Sequence, residues 1–288
     1  NFPIYMHVNF LENAFSVDEI ISRCADAGYD GIELRGFDLK EEKSTEEYLD
    51  YVYKLTEKCQ LKVTFGCPND TVNPDLAARE ASMEKFKLII DFAANHDIAV
   101  LNVFGSSIVN PDLRYMDFHG NGSAFATQEQ WKTTVEYFQQ AGDFAGEREV
   151  ELCFETHNCY IHDIGEATSR FLKEIDRPYV KANLDFGNIY LHKKNKGLQE
   201  EFDLIADRLG YVHLKNLCKA HGGESNDFWC TSLRSGDINN YQLMKMIIAS
   251  GYNGIITIEN TMPGDKREYM GEDLDYLRNI LHDFKNES

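Results

Sequence analysis

Short apolar runs recur along the chain at spacings that fit strands alternating with helices. Eight of these runs are short enough for buried strands. They lie at residues 4–8, 31–34, 62–65, 100–104, 151–155, 181–185, 211–214 and 254–259. The segments between them carry apolar residues at helical spacing, as at Phe86, Ile89, Ile90 and Ala93. Regular alternation of strand and helix predicts a parallel sheet.

Helix boundaries are marked by residues that satisfy unpaired backbone groups. Three pairs have the spacing of a capping box: Ser16 and Glu19, Ser44 and Glu47, Thr127 and Gln130. Segments 27–34 and 250–258 are similar in sequence, and each reads as a helix-ending glycine, a tight turn and a strand entry. Eight strand–helix units in a chain of 288 residues predict a (β/α)8 TIM barrel of the α/β class rather than an open doubly wound sheet. No linker divides the sequence, so residues 1–288 are predicted to form a single domain.

Composition narrows the class of protein. The formal charge of −19 repels phosphate backbones and anionic lipids, so neither nucleic acid nor a membrane surface is an expected partner. No run of apolar residues is long enough to predict a transmembrane helix. The seven cysteines include no CxxC pair, which favours a reducing, cytoplasmic location over a disulfide framework. Because the sequence starts at Asn1 rather than Met, a removed upstream signal peptide remains an alternative.

Four consecutive predicted strands end in a side chain that can bind a metal ion: Glu155, Asp185, His213 and Glu259. In a parallel barrel these strand ends meet at one mouth, where barrel active sites lie. Three carboxylates and an imidazole there predict a site for one divalent metal ion. Oxygen ligands dominate the set, so Mn²⁺ is preferred, with Mg²⁺, Co²⁺ or Zn²⁺ as alternatives. The structural alternative is a solvated polar rim.

Side chains near these strand ends can balance the excess negative charge of such a site. His157 and Lys215 stand two residues beyond Glu155 and His213, so each shares a strand face with a predicted ligand. Arg234 is a third candidate, on a later loop. The alternative for His157 is a hydrogen bond that supports a ligand, and for Lys215 an ion pair with a carboxylate at the rim.

The ends of the first three strands are expected to shape the substrate pocket. His7 ends the first strand, Arg35 follows the second and Cys67 follows the third. Arg35 has the chemistry to bind a phosphate or carboxylate of a substrate. It has equally the chemistry to pair with a neighbouring acid such as Glu33 or Asp38.

Two connections, residues 106–126 and 220–235, are unusually long and leave strand ends at the predicted mouth. Long loops in this position are either lids over an active site or surface excursions that contact another subunit. The second loop carries Phe228 and Trp229, which either stack on a sugar face or close a subunit interface. A homo-oligomer is therefore compatible with the sequence.

The chain resembles the xylose isomerase-like TIM-barrel superfamily over essentially its whole length, and most strongly from Glu151 to Asn260. The segments that carry the resemblance are Glu155-Thr156-His157 with Asp163, Asn183-Leu184-Asp185, Val212-His213-Leu214-Lys215-Asn216, Gly236-Asp237-Ile238 and the strand ending in Glu259. The superfamily contains sugar isomerases and epimerases, inosose and dehydroshikimate dehydratases, and relatives of endonuclease IV. The resemblance implies that Glu155, Asp185, His213 and Glu259 bind one divalent metal ion, and that the two glutamates also move protons.

The leading function implied by the resemblance is a metal-dependent sugar isomerase or epimerase. Such an enzyme removes a proton next to a carbonyl of a small sugar or polyol substrate and proceeds through an enediolate. Glu155, Glu259 and His157 are the expected catalytic residues. His7, Arg35, Lys215, Arg234 and Trp229 are the expected substrate-binding residues.

Departures from family patterns keep two alternatives open. Ketose 3-epimerases carry E-x-x-N-R after the fifth strand, whereas this chain has Glu155-Thr156-His157-Asn158. That form is more similar to the dehydroshikimate dehydratases, in which His157 would match a histidine that transfers a proton. A catalytically silent sugar-binding protein is the other alternative. DNA repair is disfavoured, because Asn188 stands where endonuclease IV relatives have a metal-binding histidine.

Overall fold

Eight parallel strands close into a barrel in the computed structural model, which describes residues 2–220, 227–261 and 264–287. In chain order the strands of this part of the protein are β1 (Ile4–His7), β2 (Gly31–Arg35), β3 (Lys62–Pro68), β4 (Val100–Phe104), β5 (Glu151–Glu155), β6 (Val180–Asp185), β7 (Leu209–Leu214), β8 (Asn216–Lys219), β9 (Phe228–Thr231) and β10 (Ile256–Ile258). The order around the barrel is β1-β10-β7-β6-β5-β4-β3-β2. The predicted (β/α)8 barrel is confirmed.

Helices follow the barrel strands, as the alternating pattern predicted. They are α1 (Val17–Ala27), α2 (Thr45–Lys58), α3 (Leu76–Asn95), α4 (Gln128–Gly146), α5 (Gly165–Ile175), α6 (Phe186–Leu191), α7 (Leu198–Asp203), α8 (Asn240–Ala249) and α9 (Lys266–Glu287). The three predicted capping boxes start α1, α2 and α4. Gly28 and Gly251 follow α1 and α8 with φ of 88° and 81°, where a side chain would be strained. Among the described residues, no helix has the length and apolar character needed to cross a bilayer.

The structure differs from the predicted strands mainly near the last two barrel strands. The final strand is shorter than predicted, so Glu259 lies one residue beyond the end of β10. The second long loop contains a strand, since β9 pairs antiparallel with β8 in a separate two-stranded sheet. Aromatic residues in β9 favour an extended backbone, and the register places Trp229 opposite Cys218. Residues 221–226 of the predicted loop lie outside the described part of the chain.

Contacts between Cα atoms divide the chain into two compact units. The first unit contains residues 1–34, 52–63 and 212–288. Within it, β1 pairs with β10 and with β2, and the second pairing sets His7 opposite Glu33. In the same unit Thr257 of β10 stands opposite His213 of β7. A single domain over residues 1–288 stays a prediction.

The second unit contains residues 35–51 and 64–211 and has an aromatic core. Its strands β4, β5 and β6 pair in parallel. Phe154 of β5 meets Phe138 of α4 and Phe171 of α5 edge to face, with ring centroids 4.5 and 4.9 Å apart. All three rings are fully buried. Aromatic pairs in this geometry add to the stabilisation that apolar burial supplies, and they fix the helices against the strand that ends in Glu155.

Candidate active site

Four buried side chains come together at the ends of barrel strands. Glu155, Asp185, His213 and Glu259 each offer one ligand atom, and these four atoms all lie within 4.8 Å of one another. Three carboxylate oxygens and one imidazole nitrogen form a donor set that suits a divalent cation. The structure therefore brings together the four residues that the sequence singled out, in a cluster that could hold a metal ion.

Glu155 is held by side-chain amides that donate to both of its oxygens. The Nδ2 group of Asn102 donates to Oε2, and that of Asn188 donates to Oε1, each at 2.9 Å. Asn183 in turn donates to Oδ1 of Asn102 at 3.0 Å. Because amide NH₂ groups are donors, both oxygens of Glu155 act as acceptors, and the two hydrogen bonds set the plane of the carboxylate.

The backbone at Glu155 is fixed by a buried histidine. The ring of His162 uses Nδ1 to donate to the carbonyl of Glu155, while Nε2 accepts from the backbone N–H of Gly105 at 3.4 Å. Burial lowers the pKa of His162 to about 3. This imidazole is thus neutral, and it ties the end of β5 to the residue after β4.

Asp185 ends β6 and also caps α6. Its Oδ1 accepts from the backbone N–H of Asn188 at 3.1 Å, and the residue is fully buried. The hydroxyl of Thr156 donates to the carbonyl of Asp185 at 3.0 Å and accepts from its N–H at 2.9 Å. A short helix begins directly after this predicted ligand, and its first turn holds the Asp185 carboxylate in one orientation.

Glu259 is surrounded by donors and cations of the first unit. Asn9 donates to Oε1 at 2.7 Å, and the Lys215 ammonium lies 3.2 Å from Oε2. Nδ1 of His213 lies 3.3 Å from the same oxygen. Burial would raise the pKa of the Glu259 carboxyl, but Lys215, His7 and His213 hold that pKa well below its usual range. The ion pair that the sequence offered as one alternative for Lys215 is therefore present.

Glu33 joins two of the predicted site histidines. Its Oε2 lies 2.8 Å from Nε2 of His213, and its Oε1 lies 3.5 Å from Nε2 of His7. The rings of His7 and His213 meet edge to face at 5.4 Å. Burial would raise the pKa of Glu33, but His213 and His7 hold it well below its usual range. The sequence had suggested Glu33 only as a possible partner for Arg35.

His157 lies two residues beyond Glu155 and is half-buried. Its Nδ1 donates to the carbonyl of Asn158 at 2.9 Å, so the neutral ring carries its lone pair on Nε2. The ring meets Phe104 and Tyr160 edge to face, at 5.7 and 5.2 Å. These contacts fix the plane of the imidazole. Its role in catalysis stays a prediction.

The remaining predicted pocket residues differ in exposure. Arg35 ends β2 and is half-buried, whereas Cys67 is buried within β3. Trp229, in β9, is 51% exposed. Arg234 is also exposed, and its positive charge acts to lower the pKa of Asp273. A substrate-binding role for Arg35, Trp229 and Arg234 stays a prediction.

The first long loop, residues 106–126, is anchored to the segment that follows Glu155. Ile108 donates its N–H to the carbonyl of Cys159 at 2.7 Å, and Ser123 donates to Oδ2 of Asp163 at 3.1 Å. Burial raises the pKa of Asp163 to about 7. Asp163 belongs to the segments that carried the family resemblance, and here it fastens this loop. Whether the loop acts as a lid stays a prediction.

Four supporting residues were missed by reasoning from sequence: Glu33, Asn102, Asn9 and His162. A weak signal exists for the first two, because each is a polar residue within an apolar strand, in GIELR and VLNVF. A polar side chain at such a position must find a partner, since burial without one is costly. His162 carried no comparable signal, because it lies in a loop.

Comparison with known proteins agrees with this architecture. The sequence profile described as xylose isomerase-like TIM barrel matches residues 21–280. The chain belongs to this family. A family member from Mycobacterium smegmatis, solved in complex with magnesium, superposes with a TM-score of 0.78 at 14% identity, covering 98% of this chain and 97% of that one. At this identity the likeness shows the fold alone.

Two relatives with described activities are similar over part of the chain. An L-ribulose 3-epimerase of Methylomonas sp. (strain DH-1) is 26% identical over 161 residues, covering 55% of this chain and 52% of the epimerase. The match thus spans about half the length of that relative. A 3-dehydroshikimate dehydratase of Bacillus anthracis is 22% identical over 234 residues, covering 78% of this chain and 76% of the dehydratase. The chain is therefore similar both to an isomerase-class enzyme and to a lyase-class enzyme.

Proposed function

We propose that the protein is a divalent-metal-dependent isomerase or epimerase of a small sugar. The observation that carries the proposal is the cluster of Glu155, Asp185, His213 and Glu259, whose ligand atoms lie within 4.8 Å of one another. Similarity to a ribulose 3-epimerase supports a ketose substrate. The magnesium complex of a family member supports a divalent ion, with Mn²⁺ as the preferred ion here.

The four clustered residues would hold the ion. When bound, it would polarise a substrate carbonyl and acidify the neighbouring C–H group. A glutamate then takes the proton as the C–H bond breaks, and the electron pair moves to the carbonyl oxygen to give an enediolate. Return of a proton to the other face of the same carbon gives the epimer, whereas return to the neighbouring carbon gives the isomer.

Glu155 and Glu259 are suited to this exchange by their different surroundings. Glu155 accepts from the neutral amides of Asn102 and Asn188. Glu259 faces the Lys215 ammonium at 3.2 Å, which can also balance the charge of an enediolate. Two carboxylates in one buried cluster supply the two proton-transfer groups that epimerisation requires.

A dehydratase of a cyclic keto acid is the second candidate. His157-Asn158 after Glu155 is the feature that favours it, together with the similarity to the Bacillus anthracis enzyme over 78% of this chain. In this case the imidazole of His157 would donate the proton that allows a hydroxyl to leave as water. A catalytically silent sugar-binding protein is a third reading, which the complete ligand set disfavours.

The proposal is tested by following hydrogen exchange in deuterated water. We expect Mn²⁺-loaded protein to introduce deuterium at carbon 3 of L-ribulose or a related ketose and to form its epimer, as measured by NMR and mass spectrometry. Dehydroshikimate is the parallel substrate, because its dehydration gives an aromatic product with a new ultraviolet band. If no deuterium enters the ketoses and dehydroshikimate gives the ultraviolet band, the protein is a dehydratase and not an isomerase. Inertness toward a ketose panel and dehydroshikimate would favour a silent binding protein.

His157→Asn separates the two candidate reactions by kinetics. In an isomerase the glutamates move the protons, so we expect the substitution to raise KM by several-fold and to lower kcat less. In a dehydratase His157 assists the departure of a hydroxyl, and kcat would fall by roughly 10²–10⁴-fold. Steady-state kinetics with each substrate measure the difference, and a large loss of kcat for the ketose would contradict the orienting role.

A further inference from the structure

Glu33 is a buried carboxylate placed between two histidines of the site. It sits on β2, and it is as fully buried as His213, whereas His7 is 5% exposed. Each carboxylate oxygen faces one imidazole: Oε2 is 2.8 Å from Nε2 of His213, and Oε1 is 3.5 Å from Nε2 of His7. An ionised carboxylate only accepts hydrogen bonds, so both Nε2 atoms must carry their hydrogens.

At His7, a second contact, with the backbone, also places the ring hydrogen on Nε2. Its Nδ1 accepts from the N–H of Asn9 at 3.1 Å, so a lone pair resides on Nδ1. The neutral ring must then carry its hydrogen on Nε2, the atom that faces Glu33. One histidine of the pair thus has its tautomer fixed from both sides.

The hydrogen on Nε2 of His213 has a consequence for metal binding. With its hydrogen on Nε2, the neutral ring presents the lone pair of Nδ1 to Oε2 of Glu259, 3.3 Å away. Without an ion, a hydrogen on Nδ1 of the doubly protonated ring can bridge this distance, and a bound cation would take the place of that hydrogen. His213 and Glu259 both belong to the four clustered ligand residues. The atom that Glu33 leaves unprotonated is therefore the atom turned toward another ligand.

We propose that Glu33 is a positioning residue that holds His213 in the Nε2–H tautomer and orients Nδ1 toward the metal ion. The inference rests on the proposed metal-dependent function. A carboxylate behind a ligating histidine fixes the ring orientation and increases the basicity of the ligating nitrogen. His7 takes the second oxygen of Glu33, so it limits rotation of the carboxylate and acts in the same assembly.

A purely structural ion pair explains the arrangement less well. Burial of a carboxylate is costly, and well-packed apolar residues often stabilise a core as effectively as a buried ion pair does. The neighbours Ile32 and Leu34 on β2 are buried apolar residues, so the strand itself does not require a charge. The charge at position 33 instead faces the back of a predicted ligand, 2.8 Å from its ring nitrogen.

Metal affinity of two variants tests the proposal. In Glu33→Gln one oxygen can still accept from His213, so we expect the Kd for Co²⁺ and Mn²⁺ to rise by about 10-fold. In Glu33→Ala the acceptor 2.8 Å from Nε2 of His213 is removed, and we expect a rise toward about 100-fold. Titration calorimetry gives the Kd at a temperature where circular dichroism shows each variant to be folded. If Glu33→Ala does not fold, an unchanged Kd in Glu33→Gln alone overturns the proposal.

A spectroscopic signature separates positioning from general stabilisation. In the Co²⁺ protein, the Nε2 hydrogen of His213 should give a paramagnetically shifted proton resonance that disappears in D₂O. We expect it in the unsubstituted protein and in Glu33→Gln, and its loss through fast solvent exchange in Glu33→Ala. A lower Tm in Glu33→Ala with an unchanged Kd and the resonance retained would assign a structural role only.

The matched control is Glu201→Gln. Glu201 is also buried, but it accepts from the backbone N–H groups of Gly165 and Lys196, at 2.7 and 2.9 Å. We expect the Glu201→Gln variant to bind Co²⁺ with the same Kd as the unsubstituted protein. Asp185→Asn tests the underlying function separately. Failure of the unsubstituted protein to bind metal through Asp185 would remove the proposed function itself, whereas equal affinity in the Glu33 variants would remove only the positioning role.

Discussion

Replacing Glu155 or Glu259 by glutamine will lower the rate of deuterium incorporation into the ketose by about 10²- to 10⁴-fold. The amide of Glu155→Gln or Glu259→Gln has no basic oxygen of comparable strength, so it cannot take the proton from carbon. The two variants should differ in the face of the sugar at which exchange survives. Single-turnover NMR in deuterated water measures this for each substrate epimer.

Each substitution also alters a ligand, so metal content must be measured in the same samples. If a variant only binds the metal more weakly, excess Mn²⁺ will fill its site again. We expect the rate of deuterium exchange to remain low even when the site is filled. Glu151→Gln is the matched control. Glu151 begins β5, the strand that Glu155 ends, and its carboxylate pairs with Lys181. Normal exchange in a metal-loaded Glu155 or Glu259 variant would remove that residue from the role of base.

The barrel and the ligand cluster could be predicted because both follow from periodic local signals. Alternating strands and helices leave few topologies open, and a parallel barrel gathers all strand ends at one mouth. A charged residue at the end of a buried strand is then informative by position alone. The prediction of Glu155, Asp185, His213 and Glu259 followed from strand position, and the structure brings these residues together. The registers of neighbouring strands were not needed for it.

The supporting residues could not be assigned in this way because their partners are distant in sequence. Glu33 is 180 positions from His213, and Asn9 is 250 positions from Glu259. A polar residue in a strand signals that a partner is needed but does not identify it. The register between β1 and β2, which sets His7 opposite Glu33, and the rotamer of each side chain decide the pairing. Arg35 and Glu33 are two apart on one strand, and this proximity in sequence gave no indication of the contact between Glu33 and His213.

Removing the metal will abolish exchange and lower the Tm, and Mn²⁺ will restore both. Three carboxylates with ligand atoms within 4.8 Å of one another repel in a buried site, and Lys215, 3.2 Å from Glu259, offsets part of this repulsion. At about 100 times its Kd, an ion that binds only the folded state stabilises it by about 2.7 kcal/mol. For a chain of 288 residues, with an unfolding entropy of about 0.6 kcal/mol/K, we expect a change in Tm of about 4–5 °C.

The fold itself should survive, because the aromatic core around Phe154 does not depend on the ion. Differential scanning calorimetry after dialysis against a chelator, with metal content verified by mass spectrometry, measures the shift. Mg²⁺, Co²⁺ and Zn²⁺ added in turn show whether Mn²⁺ is preferred. Asp185→Asn should lose the metal-dependent part of the Tm while keeping a cooperative transition. Full exchange activity in chelated protein with negligible bound metal would contradict the metal-dependent function, since acidification of the C–H group would then require no cation.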